Sequence, residues 1–70
     1  LTAAVEAGRV AEFDEARGLG EIEGVDGRRY PFHCTGIVDG TRTIGRGAPV
    51  TFVVVPAPLG RWEAARITKT

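Results

Sequence analysis

The sequence predicts a single all-β domain, a small antiparallel barrel of five short strands. Two observations lead to it. Apolar and β-branched residues come in five short runs with glycine, proline or aspartate between them, the pattern of an all-β barrel. And Val25-Asp26-Gly27 carries the Asp-Gly hairpin signal, which makes the strands on either side of it neighbours. Seventy residues set the scale: one small domain, which on folding hides roughly 60% of the surface its unfolded chain exposes.

Taken in order, residues 1–7 show neither a turn signal nor a period and are expected to be a lead-in, with the barrel over residues 8–70. The expected strands are Arg9 to Asp14, Gly20 to Glu23, Arg29 to Cys34, Pro49 to Val55 and Trp62 to Ile67. In the third, alternation turns Tyr30 and Phe32 inward and leaves Pro31 and His33 outside. Proline cannot donate to a ladder, so Pro31 belongs at an edge or a bulge. Gly36 to Gly47 reads as a long polar loop with one helical turn, anchored by Ile37 and Ile44. Pro49 to Val55 is β-branched and bounded by proline, the clearest strand of the five. Val50, Phe52 and Val54 share one face; Val53 and Val55 share the other, where a barrel ordinarily shows water a polar side. Pro56 to Gly60 is a turn. Trp62 to Ile67 has the propensity of a helix, and it is assigned as a strand because a five-stranded barrel needs one more.

Composition narrows the function. The formal net charge is zero, so no overall basic field attracts a polyanion. The balance conceals an asymmetry of −5 over residues 1–26 against +5 over residues 27–70. Ser, Asn, Gln and Met are absent and eight of the nine basic residues are Arg, a skew in keeping with a GC-rich bacterial genome. The N-terminus has neither the basic flank nor the long apolar core of a signal peptide, and no apolar run approaches the roughly 20 residues of a membrane span. One cysteine, Cys34, has no internal disulfide partner, and with His33 alone beside it there are too few soft ligands for structural zinc. A cytoplasmic protein with no metal and no cofactor is expected.

Enzyme chemistry finds little support. Gly18-Leu19-Gly20 lacks the third glycine and following helix of a dinucleotide site, and no Gly-Lys-Ser/Thr marks a phosphate loop. Serine is absent. Neighbours on a strand point to opposite faces, so His33 and Cys34 are not expected to share a proton, and Cys34 reads as a small apolar filler. Glu12, Asp14 and Glu15 lack calcium-loop spacing.

With the strands laid out, several segments fall into one register: Gly8-Arg9-Val10, Phe13, Arg17-Gly18-Leu19-Gly20-Glu21-Ile22, Tyr30-Pro31-Phe32-His33, Ile37, Gly47-Ala48-Pro49-Val50-Thr51-Phe52 and Glu63-Ala64-Ala65-Arg66-Ile67. In order and spacing this resembles the cold-shock domain family. The resemblance implies a five-stranded Greek-key OB-fold barrel that binds single-stranded RNA or DNA by stacking bases on exposed aromatics of the first three strands. Here the aromatics are depleted. The family's exposed Trp of strand one falls on Glu12, the two Phe of the glycine motif on Leu19 and Glu21, and those of the third strand on Pro31 and Cys34. His33 keeps its family identity, and Arg17 keeps a positive charge where the family has Lys.

Each stack is worth roughly 1–3 kcal/mol, so losing two costs roughly 2–6 kcal/mol. Weak single-stranded nucleic-acid binding through Arg17, His33, Arg42, Arg61 and Trp62 is the expected function, with Trp62 and Arg61 as a replacement stacking and phosphate pair. Two alternatives stay open: Trp62 as a lid on the barrel, and a protein-interaction or homodimerising module that uses Leu19, Val53 and Val55.

Overall fold

The computed structural model describes residues 4–70. Five strands, β1 (Val5–Asp14), β2 (Leu19–Gly24), β3 (Arg29–His33), β4 (Pro49–Ala57) and β5 (Arg61–Lys69), form one antiparallel sheet in the order β3–β2–β1–β4–β5. The fold is all-β. Its only helical pieces among the described residues are two three-residue 3-10 turns, so no helix is long and apolar enough to cross a membrane.

β1 organises the sheet because it serves two neighbours. Its first half pairs with β4, from Val5 opposite Val53 to Arg9 opposite Pro49, and its second half pairs with β2 out to Asp14 opposite Leu19. It therefore begins four residues before the expected Arg9. Residues 5–7 are strand rather than lead-in; residues 1–3 lie outside the described residues. Alternation fails to announce this segment because it runs the wrong way: Val5 and Ala7 are exposed while Glu6 is half-buried. Pairing with β4, not local pattern, makes it a strand.

Two bulges decide which side chains reach the interior. Between Val10 and Glu12, β1 carries one residue more than β2. An extra residue reverses the alternation beyond it. Val10 and Phe13 are thus both turned to the core, and Glu12 and Asp14 to water. The second bulge lies in β5, where Ala65 to Thr68 spans three residues against the two from Thr51 to Val53. Arg66 takes the left-handed backbone there, φ 50°. Ala64 and Ile67 are consequently both buried although they are three apart. The helical propensity of this segment yields to the ladder with β4 and to those two buried side chains.

The interior is a single cluster in which Val10, Ile22, Phe32, Val50, Phe52 and Ile67 are the most buried members, joined by the loop anchors Ile37 and Ile44. Tyr30 and Phe32 face inward and Pro31 and His33 outward, as alternation predicts. β3 stops at His33 rather than Cys34, which opens a 3-10 turn over Cys34–Gly36. β4 runs past Val55 through Pro56 to Ala57, paired with Trp62 and Arg61.

The sheet curls without closing. Its edges β3 and β5 approach each other with no ladder of hydrogen bonds between them. Beyond the end of β3 the chain does meet β5, where Ile37 forms an isolated parallel bridge with Ile67 and the Val38 N–H donates to the Ile67 carbonyl at 3.0 Å. An open seam with parallel walls is left between β3 and β5.

Candidate nucleic-acid interface

The outer face of β1, β2 and β3 can be read from the ladder. Arg9, Glu23 and Arg29 form one cross-strand row, Glu12, Glu21 and Pro31 the next, and Asp14, Leu19 and His33 a third. Glu12 and Glu21 stand directly opposite each other, a like-charge pair that is unfavourable on a sheet and that repels phosphate. Arg29 offsets part of this by an ion pair to Glu21 at 3.4 Å. Leu19, 47% exposed, is the one large apolar side chain in these rows. No Phe, Tyr or Trp ring faces out of the three rows; His33 is their one flat ring.

The glycines of Arg17-Gly18-Leu19-Gly20 are there for packing. Gly18 has φ 68°, closes the turn by donating its N–H to the Asp14 carbonyl at 2.8 Å, and a Cβ on it would lie 2.7 Å from the Cys34 sulfur. Gly20 sits between Phe13 and Phe32 in the ladder, and a Cβ there would lie 2.6 Å from the Phe32 ring.

Of the five expected contact residues only Arg61 and Trp62 share one groove; Arg17, His33 and Arg42 lie apart from it. Arg17 stays on the β1–β2 turn, where its side chain pairs with Asp14 at 3.7 Å and its N–H donates to the same carboxylate. His33 ends β3. The Thr35 N–H donates to His33 Nδ1 at 3.2 Å; a backbone N–H only donates, so the ring proton is assigned to Nε2. Because the chain leaves the strand after His33, the Cys34 sulfur lies 3.9 Å from Nδ1, contrary to the opposite-face expectation. The same nitrogen is already engaged by Thr35, through its N–H and its hydroxyl at 2.9 Å, so the thiol gains little from the imidazole.

Arg61 and Trp62 open β5 and face across the seam to the start of β3. There they line one groove with Glu21, Arg28, Arg29, Tyr30 and Pro31. Trp62 is 57% exposed, so it is not a lid on the core. Of the three arginines, Arg28 pairs with Asp26 at 3.8 Å, Arg29 with Glu21, and Arg61 has no acidic partner among the described residues. Further along, His33, Thr35 and Gly36 face Glu63, Ala64 and Ala65. Beyond that, Thr35 and Cys34 border a third depression with Arg42 and Arg66.

Arg28, Arg29 and Arg66 escaped the sequence-based assignment. The only signal for them is the basic surplus of residues 27–70, which does not say which arginines meet. Arg28 and Arg29 reach Trp62 through the approach of two strands some thirty residues apart in the chain.

Arg42 is presented by a pinned loop. Lys69 bridges to Asp39 at 3.0 Å and donates to the Thr41 hydroxyl at 2.9 Å, while Asp39 accepts from the Thr41 N–H and hydroxyl at 3.0 and 2.8 Å. The Thr41 N–H, then Lys69, then the Thr41 hydroxyl hold the Asp39 carboxyl down at about 2, below its ordinary 3.8. The apolar trio does not form one patch. Val53 lies opposite Val5 and Leu19 opposite Asp14, positions nine residues apart on β1, about 30 Å of strand.

No three His, Cys, Asp or Glu side chains among the described residues are grouped as metal ligands. No protein-family model matches the chain, and no curated protein is significantly similar to it.

Proposed function

We propose that this chain is a cold-shock-like, OB-type module of the cytoplasm, without catalytic activity, that binds single-stranded RNA or DNA weakly, and that it does so at the Trp62 groove. The observation that carries the reading is the half-exposed Trp62 side chain set among Arg28, Arg29 and Arg61. A ring open to water stacks any base, because every base has a π-face, and adjacent guanidiniums take the flanking phosphates. One ring in place of a platform, with the carboxylate of Glu21 also lining the groove, makes the binding weak.

Trp62 is the sole tryptophan and reports the event directly. Titration with an oligothymidine should quench its fluorescence, and the affinity should fall with salt at a log–log slope of roughly 1.4–2.1, the value for two or three phosphates. Unchanged fluorescence up to high micromolar strand overturns the proposal.

A second reading, a homodimerising or protein-binding module, draws on one observation. Val5, 69% exposed, Val53 and Ala65 form an uncharged row across β1, β4 and β5 on the outer face. A concentration-dependent mass in sedimentation, lost on Val5→Glu, would favour it.

A further inference from the structure

We infer that a bound strand does not cross the outer face of β1–β3 but runs along the β3–β5 seam, from the Trp62 groove past His33 to a second phosphate-binding point at Arg42 and Arg66. The inference rests on the proposed binding at Trp62 and adds its path and length.

The first support is the order of residues along both walls. Arg28 to Pro31 face Arg61 and Trp62, then His33 to Gly36 face Glu63 to Ala65, then Thr35 and Arg42 face Arg66. β3 and β5 run the same way here, so three depressions lie in line rather than scattered. Trp62 and Arg66 are four residues apart on one strand, about 13 Å. A polymer must span that distance; one nucleotide does not fill it.

The second support is the state of the two far arginines. Neither Arg42 nor Arg66 forms an ion pair among the described residues, although both border one depression with the Thr35 hydroxyl. Both also hold left-handed backbone, φ 58° and 50°, which glycine adopts freely and arginine does not. The exposed turn residue Leu59 shares it at φ 64°, so what sets the two arginines apart is that both border the same depression. Arg66 is turned outward by the β5 bulge, and Arg42 follows directly on Thr41, which Lys69 and Asp39 hold.

The outer face offers the opposite. Its three rows carry Glu12, Glu21, Glu23 and Asp14 against Arg9 and Arg29, an excess of negative charge where a backbone would lie. Along the seam Glu21 lines the Trp62 groove, where Arg29 pairs with it, and Glu63 lies midway, two carboxylates against Arg28, Arg29, Arg61, Arg42 and Arg66; phosphates held at the two basic ends leave a base beside Glu63.

The test compares oligothymidines of about two and about eight nucleotides, the longer one within the roughly 4–16 nucleotides that a barrel of this type covers, by Trp62 fluorescence at about 50 and 200 mM salt. Two additional phosphates at Arg42 and Arg66 should make the longer strand lose about sevenfold more affinity than the shorter one over that salt range. The double variant Arg42→Ala/Arg66→Gly should bring the longer strand down to the affinity of the shorter, leave the shorter unchanged and not lower the melting temperature. Equal salt sensitivity of the two lengths, or a double variant that binds the longer strand like wild type, overturns the seam path while leaving binding at Trp62 intact. Absence of quenching by either length overturns both. Replacing Arg9, on the outer face, with Ala serves as the control and should change neither strand's affinity.

Discussion

Phe13 and Phe32 stack with their rings nearly parallel, centroids 5.8 Å apart and planes 7° from parallel, although a whole strand lies between them. Gly20 of β2 sits opposite both, and its missing side chain is the space through which the rings meet. The β1 bulge turns Phe13 to this side in the first place.

Phe32 is 2% exposed and takes part in the central cluster, so Phe32→Ala should cost about 3–5 kcal/mol, a large share of the stability of a domain this small. Gly20→Ala forces a Cβ into the Phe32 ring and the Glu12 carbonyl and should cost about 1–3 kcal/mol. Urea unfolding of both variants checks the pair. A Gly20→Ala midpoint equal to wild type would show that the rings yield freely.

Trp62→Ala should weaken oligonucleotide binding by about 1–3 kcal/mol, roughly fivefold or more, while stability changes by no more than about 0.5 kcal/mol because the ring is largely exposed. Anisotropy of a labelled strand measures the first and a thermal melt the second. Trp62→Phe should retain most of the affinity. A large drop in melting temperature with Trp62→Ala would instead assign the ring to the fold.

Glu63 lies half-buried in the seam between the two basic ends. Phosphates held at the two basic ends lie further off, where water and salt weaken the repulsion to about 1 kcal/mol or less, so Glu63→Gln should tighten binding by up to about fivefold at low salt. The gain should shrink as salt rises. Weaker binding in the variant would make Glu63 a hydrogen-bond acceptor for bases.

Arg66→Gly removes a side chain from backbone that disfavours it. The relief of about 1–2 kcal/mol, less the entropy glycine loses on folding, should leave the variant more stable by up to about 1 kcal/mol. Calorimetry reads this directly. A variant both more stable and poorer at binding longer strands would mark Arg66 as kept for the ligand; a less stable one would mean that its side chain supports the bulge.

Asp39 has its carboxyl pulled down by the Thr41 N–H and Lys69, so the link that these groups form is fully present above 3.8 and is lost as pH falls from there through about 2. A carboxyl NMR titration should place Asp39 at about 2, and the Thr41 amide should lose protection from exchange over the same range. Asp39→Asn should remove the transition. A midpoint at 3.8 would show the loop unpinned in solution.

Much of the scaffold is legible from the sequence alone. The first four strands, the Asp26-Gly27 hairpin, the inward Tyr30 and Phe32 and the anchors Ile37 and Ile44 follow from alternation, turn chemistry and β-branching, which are local, whereas the fifth strand follows only from the count a barrel needs, against its own helical propensity. Where alternation is inverted, at Val5 to Ala7, or broken by a bulge, at Ala11 and Arg66, local pattern points the wrong way and only the partner strand decides. The expected closure of the sheet is likewise a matter for its two edges.

The sequence by itself determined an all-β chain, a surplus of carboxylates in its first 26 residues and an arginine-rich remainder. What it could not determine is which arginines stand together, because Arg28 and Arg29 line one groove with Trp62, and the loop residue Arg42 borders one depression with Arg66, only where segments far apart in the chain come side by side. Strand identity depends on the period of neighbouring residues; a binding surface depends on which edges the curl of the whole sheet brings side by side, and that is a property of tertiary structure alone.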